Sequence, residues 1–193
     1  WVMGGLAIGT LYFYNESFDV MSGLLGGLTR TEAGYTIFNL GSHLLAIVIM
    51  FPAAFCAGIT LPLITYALLR RGYGEKSIGT VYSANTLGAI AGVFLATHLA
   101  MPLLGLKGLI VFGAVVDISL GIALMRYGRV RLSHSIAAGF LGVLLICITI
   151  VGVQFDPLKM ASGVYRVNQV MTGDSYTSHF HADGKTASID VVS

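Results

Sequence analysis

The sequence predicts an all-α polytopic membrane helix bundle of about five hydrophobic segments, followed by a small C-terminal extramembrane β-hairpin. Hydrophobic residues make up 55% of the 193-residue chain and charged residues only 10%, where a soluble domain carries about a quarter. The mean hydropathy of +0.82 excludes a water-soluble globular protein. The charges are also unevenly spread. Residues 33–69, 77–106 and 132–155 hold no Asp, Glu, Lys or Arg, and each gap matches or exceeds the roughly 20 residues that cross a hydrocarbon core. The hairpin rests on Asp183-Gly184, a turn signal inside a polar tail.

Residues 1–14 are apolar but, at about 1.5 Å per residue, too short to cross. They read as the end of a clipped helix, in a chain expected to be a piece of a longer protein. A polar link over 15–34 carries Glu16, Asp19, Arg30 and Glu32, and its apolar patch from Phe18 to Leu28 is expected as a half-buried interfacial helix within a loop. Tyr35 to Leu69 reads as one long kinked helix of roughly 50 Å, more than a perpendicular span requires. Pro52 and Pro62 each remove a backbone donor, so both are expected to face neighbouring helices that satisfy the freed carbonyls. Three cleaner spans follow at about 77–101, 107–126 and 133–153, the first ended by Met101-Pro102-Leu103-Leu104-Gly105. The domain boundaries are then 1–153 for the transmembrane part and 154–193 for the extramembrane part.

Arg70, Arg71 and Lys76 stand in one link and Arg126, Arg129 and Arg131 in another, while 15–34 and 102–107 hold one basic residue each. Basic links stay cytoplasmic, which places the tail after Val153 on the opposite, extracytoplasmic side. A net charge of +2 offers no basic surface for nucleic acid. Cys56 and Cys147 lie inside apolar runs and behave as small hydrophobes, excluding a disulfide scaffold or cysteine zinc site. No haem or metal spacing such as HExxH occurs, so no cofactor is expected.

Helices in lipid associate through close packing at small residues. Ala84, Gly88, Gly92 and Ala96 recur every fourth residue, a stripe expected to pack within the chain rather than to form a dimer face. Asp117 is the one acid deep inside a span, midway between Lys107 and Arg126, and must be protonated, paired or wetted. Gly113 and Gly121 flank it on the same face, which points it at a close neighbour, with Asn85 and His98 as candidate partners. A polar clasp between helices is preferred over a proton relay, because no second intramembrane acid continues a path. His43 and His98 are read as interhelical hydrogen-bond donors.

In the tail, pairing outward from Asp183-Gly184 sets Ala182, Phe180, Ser178 and Tyr176 opposite Lys185, Ala187, Ile189 and Val191 on a mostly apolar face. His181, His179 and Thr177 then oppose Thr186, Ser188 and Asp190 on a polar one. His179 and His181 near Asp190 form a partial cation set, but no third strong ligand is fixed, and a solvated face is preferred. An isolated hairpin is marginal, so its apolar face needs a cover.

Several ordered fragments then carry a likeness: Gly58-Ile59-Thr60-Leu61-Pro62-Leu63, Gly79-Thr80-Val81-Tyr82-Ser83-Ala84-Asn85-Thr86-Leu87-Gly88-Ala89 continuing to Gly92, and Pro102-Leu103-Leu104-Gly105-Leu106. Ser162-Gly163-Val164-Tyr165 and Asp183-Gly184-Lys185-Thr186-Ala187-Ser188-Ile189 look like the start of a small β domain. From about residue 50 the chain resembles the multi-pass bacterial membrane proteins fused to a spermidine synthase-like (polyamine aminopropyltransferase) domain. That resemblance implies transfer of an aminopropyl group from decarboxylated S-adenosylmethionine to a polyamine amine, on a Rossmann-like domain with a glycine-rich loop and acidic substrate residues. Neither the glycine-rich strand-to-helix turn nor the clustered carboxylates occur in these 193 residues, so no catalytic residue is carried over. The basic-link count also exports the tail, whereas the family's donor is cytosolic. Either the last span does not cross or the attached domain is not a working cytosolic enzyme.

The expected function is therefore a membrane anchor or accessory subunit that meets lipid and protein partners through its helix faces and hairpin. The alternatives are a fragment of an active membrane-bound aminopropyltransferase and, more weakly, a transporter-like bundle.

Overall fold

In the computed structural model, residues 1–29, 31–162, 171, 176–184 and 187–193 are described. Long charge-free runs satisfy their backbone groups internally, and the chain is accordingly mostly helical. Its elements are α1 (Val2–Gly27), α2 (Glu32–Arg70), α3 (Lys76–Leu95) with a π-helical turn (Ala96–Ala100), α4 (Met101–Tyr127), α5 (Leu132–Gly152), the short α6 (Pro157–Ala161), β1 (Ser178–Asp183) and β2 (Ser188–Val192). Three stretches are long and apolar enough to cross a membrane: 32–70, 76–127 and 132–152.

The expected loop over 15–34 is instead largely helix, for α1 runs unbroken to Gly27. Asn15, Glu16 and Ser17 do not interrupt it, because the Ser17 hydroxyl donates to the Tyr14 carbonyl and Phe18 and Met21 bury against Phe38 of α2. Thr31 caps α2, its hydroxyl oxygen accepting from the Gly34 amide at 3.2 Å. Both Pro52 and Pro62 lie inside this single 39-residue helix, as the long-helix reading expects. Pro62 is exposed, however, and only Pro52 is half-buried, so the two do not both face neighbours.

The length of α2 has a geometric explanation. The Tyr12 hydroxyl sits 3.4 Å from Thr149 Oγ1 and the Tyr14 ring 5.4 Å from Phe155, so α1 draws level with the end of α5 near these residues. Beyond that level α1 continues as a protruding leg. The first turns of α2 return beside it, with Leu24 against Gly41 and Leu45 packed on the Phe18, Met21 and Phe38 cluster. About 25 residues of α2 then run on to Arg70, roughly 37 Å, which is one span's worth.

Below the protrusion α1 packs along α4. Ile8, Ala114 and Ile118 form a second buried cluster with Trp1, Ile122, Leu145 and Ile146 around it. Glycines permit the close approaches: a Cβ at Gly4 of α1 would lie 2.9 Å from the Ala114 carbonyl of α4, and one at Gly142 of α5 would lie 2.8 Å from Ile118 Cγ2 of α4. At the far end the Arg71 guanidinium stands 5.7 Å over the Tyr127 ring, bringing the two basic links together.

The hairpin forms, but in another register. His181 pairs with Asp190, Ala182 with Ile189 and Asp183 with Ser188, an even shift from the expected pairing that lengthens the connection to 184–187. Because the shift is even, Phe180, Ala182, Ile189 and Val191 still share one face. The expected pairs through Lys185 and Thr186, and the expected Gly163-Val164-Tyr165 segment, lie outside the described residues.

Candidate functional site

The most connected polar arrangement lies where the hairpin meets an elbow in the first turns of α4. Helical backbone continues through Leu104 and breaks at Gly105, whose φ of 66° and ψ of 179° turn the chain. Only glycine reaches that conformation without strain, and the break leaves the Leu106 amide without a helical acceptor. Asp183 of β1 supplies one: its Oδ2 accepts from Leu106 N at 2.9 Å, across 77 residues of sequence. A Cβ at position 105 would stand 3.0 Å from the same oxygen, so the glycine also makes room for the carboxylate.

The other carboxylate oxygen is held as well. Ser188 donates its hydroxyl to Asp183 Oδ1 at 2.5 Å, and His181 Nε2 lies 3.6 Å away. The second ring nitrogen, Nδ1, is 2.6 Å from Asp190 Oδ1, so the imidazole bridges two acids. The Asp183 side chain is 9% exposed. Burial works to raise its pKa, but the Ser188 hydroxyl, the Leu106 amide and the His181 ring outweigh it and hold the carboxyl below the ordinary aspartate range.

Two further ties surround this joint. Lys107 donates to the carbonyls of Ile150 at 2.8 Å and Val153 at 2.5 Å, placing a cation on the C-terminal end of α5, where the helix dipole favours it. Lys159 of α6 pairs with Asp19 of the α1 protrusion at 2.7 Å. That hydrogen bond and the surrounding acids raise the Lys159 ammonium above the usual lysine range against the cost of burial.

Chemically the arrangement is a joint. The Ser188 hydroxyl is spent on a carboxylate rather than on the imidazole, so the order of a nucleophilic triad is not formed. Among the described residues, no group of three or more His, Cys, Asp or Glu side chains is placed to hold a metal ion. His179 joins Ser193 Oγ at 2.7 Å, apart from the His181 pair with Asp190.

The residues singled out from sequence are scattered. Ala84, Gly88 and Gly92 are exposed and Ala96 is half-buried; a Cβ at Gly88 or Gly92 would meet nothing within 4 Å. Among the described residues nothing packs on that stripe, and α3, although it lies beside α2, carries no buried residue. Asn85 is exposed on the same helix. His98 bonds within its own helix, Nδ1 to the Phe94 carbonyl at 3.2 Å and to Thr97 Oγ1 at 2.9 Å, with its ring stacked on Phe94. His43 likewise reaches the Asn39 carbonyl at 2.6 Å. Among the described residues neither ring bonds another helix; each bonds the carbonyl one turn back in its own. Asp117 meets neither Asn85 nor His98 and lies beside Gly4 of α1.

Sequence reasoning missed Gly105, Leu106, Lys107 and Asp183 as one assembly. A glycine three residues after Pro102 and two before a lone lysine was the available signal; the partner across 77 residues had none. Comparison with protein-family models, with curated proteins and with solved structures finds no match.

Proposed function

We propose that this chain is a noncatalytic accessory or anchoring subunit, spermidine synthase-like by descent, embedded in a bacterial inner membrane within a larger complex. The observation that carries the reading is α3: a helix in a bilayer-length apolar stretch that buries no residue within the chain and presents small residues along one stripe. A helix so placed has lipid or other protein as its surroundings. Five crossings or partial crossings fit the apolar segments, with the two basic links on the cytoplasmic side and the hairpin outside. The joint supports a structural role, because its polar groups are committed to fixing the hairpin on the helices rather than to a substrate.

Native electrophoresis after mild detergent extraction from the source membrane tests this. The chain is expected to migrate in a defined assembly well above its own 20.4 kDa, and the purified chain to transfer no aminopropyl group from decarboxylated S-adenosylmethionine to a polyamine. Migration as the lone chain, or turnover by it, would overturn the proposal.

A further inference from the structure

Asp117 is an acid inside an apolar stretch that bonds to no described side chain. It stands in α4 midway between Lys107 and Arg126, about 14 Å of helix from each. Its neighbours Ala114 and Ile118 are buried in the α1 seam, whereas Asp117 itself is half-buried at the edge. Gly4 leaves space beside it, for a Cβ there would lie 3.1 Å from the Asp117 Cβ. No hydrogen bond and no ion pair within 4 Å joins it to a described side chain.

The side away from α1 is open. A Cβ at Gly113, one turn earlier, would meet nothing within 4 Å, and Val116, 40% exposed, and Leu120, 57% exposed, continue the free surface. Another backbone has room to come close at Gly113, directly beside a carboxyl that in hydrocarbon costs several kcal/mol unless it is matched. A relay is disfavoured, since His98 bonds its own helix, Asn85 is exposed on α3 and 108–125 holds no other titratable acid or base. Charge complementarity selects the occupant.

We infer that Asp117 and Gly113 form the docking point for a transmembrane helix of a partner protein bearing a lysine or arginine at mid-depth. The inference rests on the accessory-subunit reading and names the chemistry of its partner. The basic side chain supplies the hydrogen-bond donors that the carboxylate lacks, and the glycine lets the two backbones approach closely enough for the pair to exclude lipid.

The test uses the full chain in lipid vesicles with two probes, a polyleucine transmembrane peptide and the same peptide with one central lysine, associated by energy transfer. The lysine peptide is expected to associate at least about tenfold more tightly than the polyleucine peptide. Asp117→Leu is expected to erase that difference. Gly113→Leu, which leaves the acid in place and fills its approach, is expected to weaken the lysine peptide alone. Equal association of both peptides with the unaltered chain, or a lysine preference that survives Asp117→Leu, overturns the inference. The accessory-subunit reading is judged separately by native electrophoresis of the unaltered chain, so an intact assembly alongside indifferent peptides refutes the present inference and spares that reading.

Discussion

Replacing Asp183 by asparagine preserves the shape of the side chain and removes its charge, which isolates what the carboxylate does at the joint. It accepts from the Leu106 amide at 2.9 Å and the Ser188 hydroxyl at 2.5 Å in a setting where it is 9% exposed. Hydrogen bonds to a charged group are worth about 1 kcal/mol more than neutral ones, so losing the charge on two of them costs about 2 kcal/mol. That is roughly a 30-fold fall in the ratio of docked to released hairpin. Amide hydrogen exchange at Leu106 in lipid nanodiscs, corrected for intrinsic rates, is expected to quicken by about that factor in Asp183→Asn. The same amide is expected to lose protection on acidification. A carboxyl held below its ordinary pKa stabilises the docked state above the ordinary value, and that stabilisation disappears as pH falls through the depressed one. Leu106 protection that is unchanged both in Asp183→Asn and through an acid titration would refute the joint.

The remaining predictions concern packing and helix ends. Gly4→Ala forces a methyl to within 2.9 Å of the Ala114 carbonyl and is expected to destabilise by about 1–3 kcal/mol in detergent unfolding. Gly92→Ala, where a Cβ meets nothing within 4 Å, is expected to stay within about 0.5 kcal/mol in the isolated chain, and a loss as large as that at Gly4 would place a neighbour against α3 within the chain. Lys107→Met removes both donors from the Ile150 and Val153 carbonyls and is expected to cost about 1.5–3 kcal/mol, with faster amide exchange confined to the last turn of α5.

The helical segments were legible because absence of charge is a one-dimensional property: 33–69 and 132–155 read as apolar runs in sequence and appear as α2 and α5. The polar stretch at 15–17 misled, because its consequences depend on Phe18 and Met21 finding Phe38 on another helix. The hairpin's faces survived while its register did not. Side-chain alternation is local, but the register involves Asp183, whose carboxylate bonds Leu106 across 77 residues. Small residues at fourfold spacing announced a packing surface without saying whether anything packs there.

Composition alone determined that this chain buries its backbone in helices, for a run without charges has no cheaper way to satisfy its amides in an apolar setting. Order along the chain determined which runs those are and which links carry the arginines and lysines. Only the tertiary structure decided that α1 and α2 extend together past the end of α5, that α3 stands bare, and that Asp183 closes on Leu106. Those outcomes are pairings between residues far apart in sequence, and each pairing depends on geometry that neither partner encodes by itself.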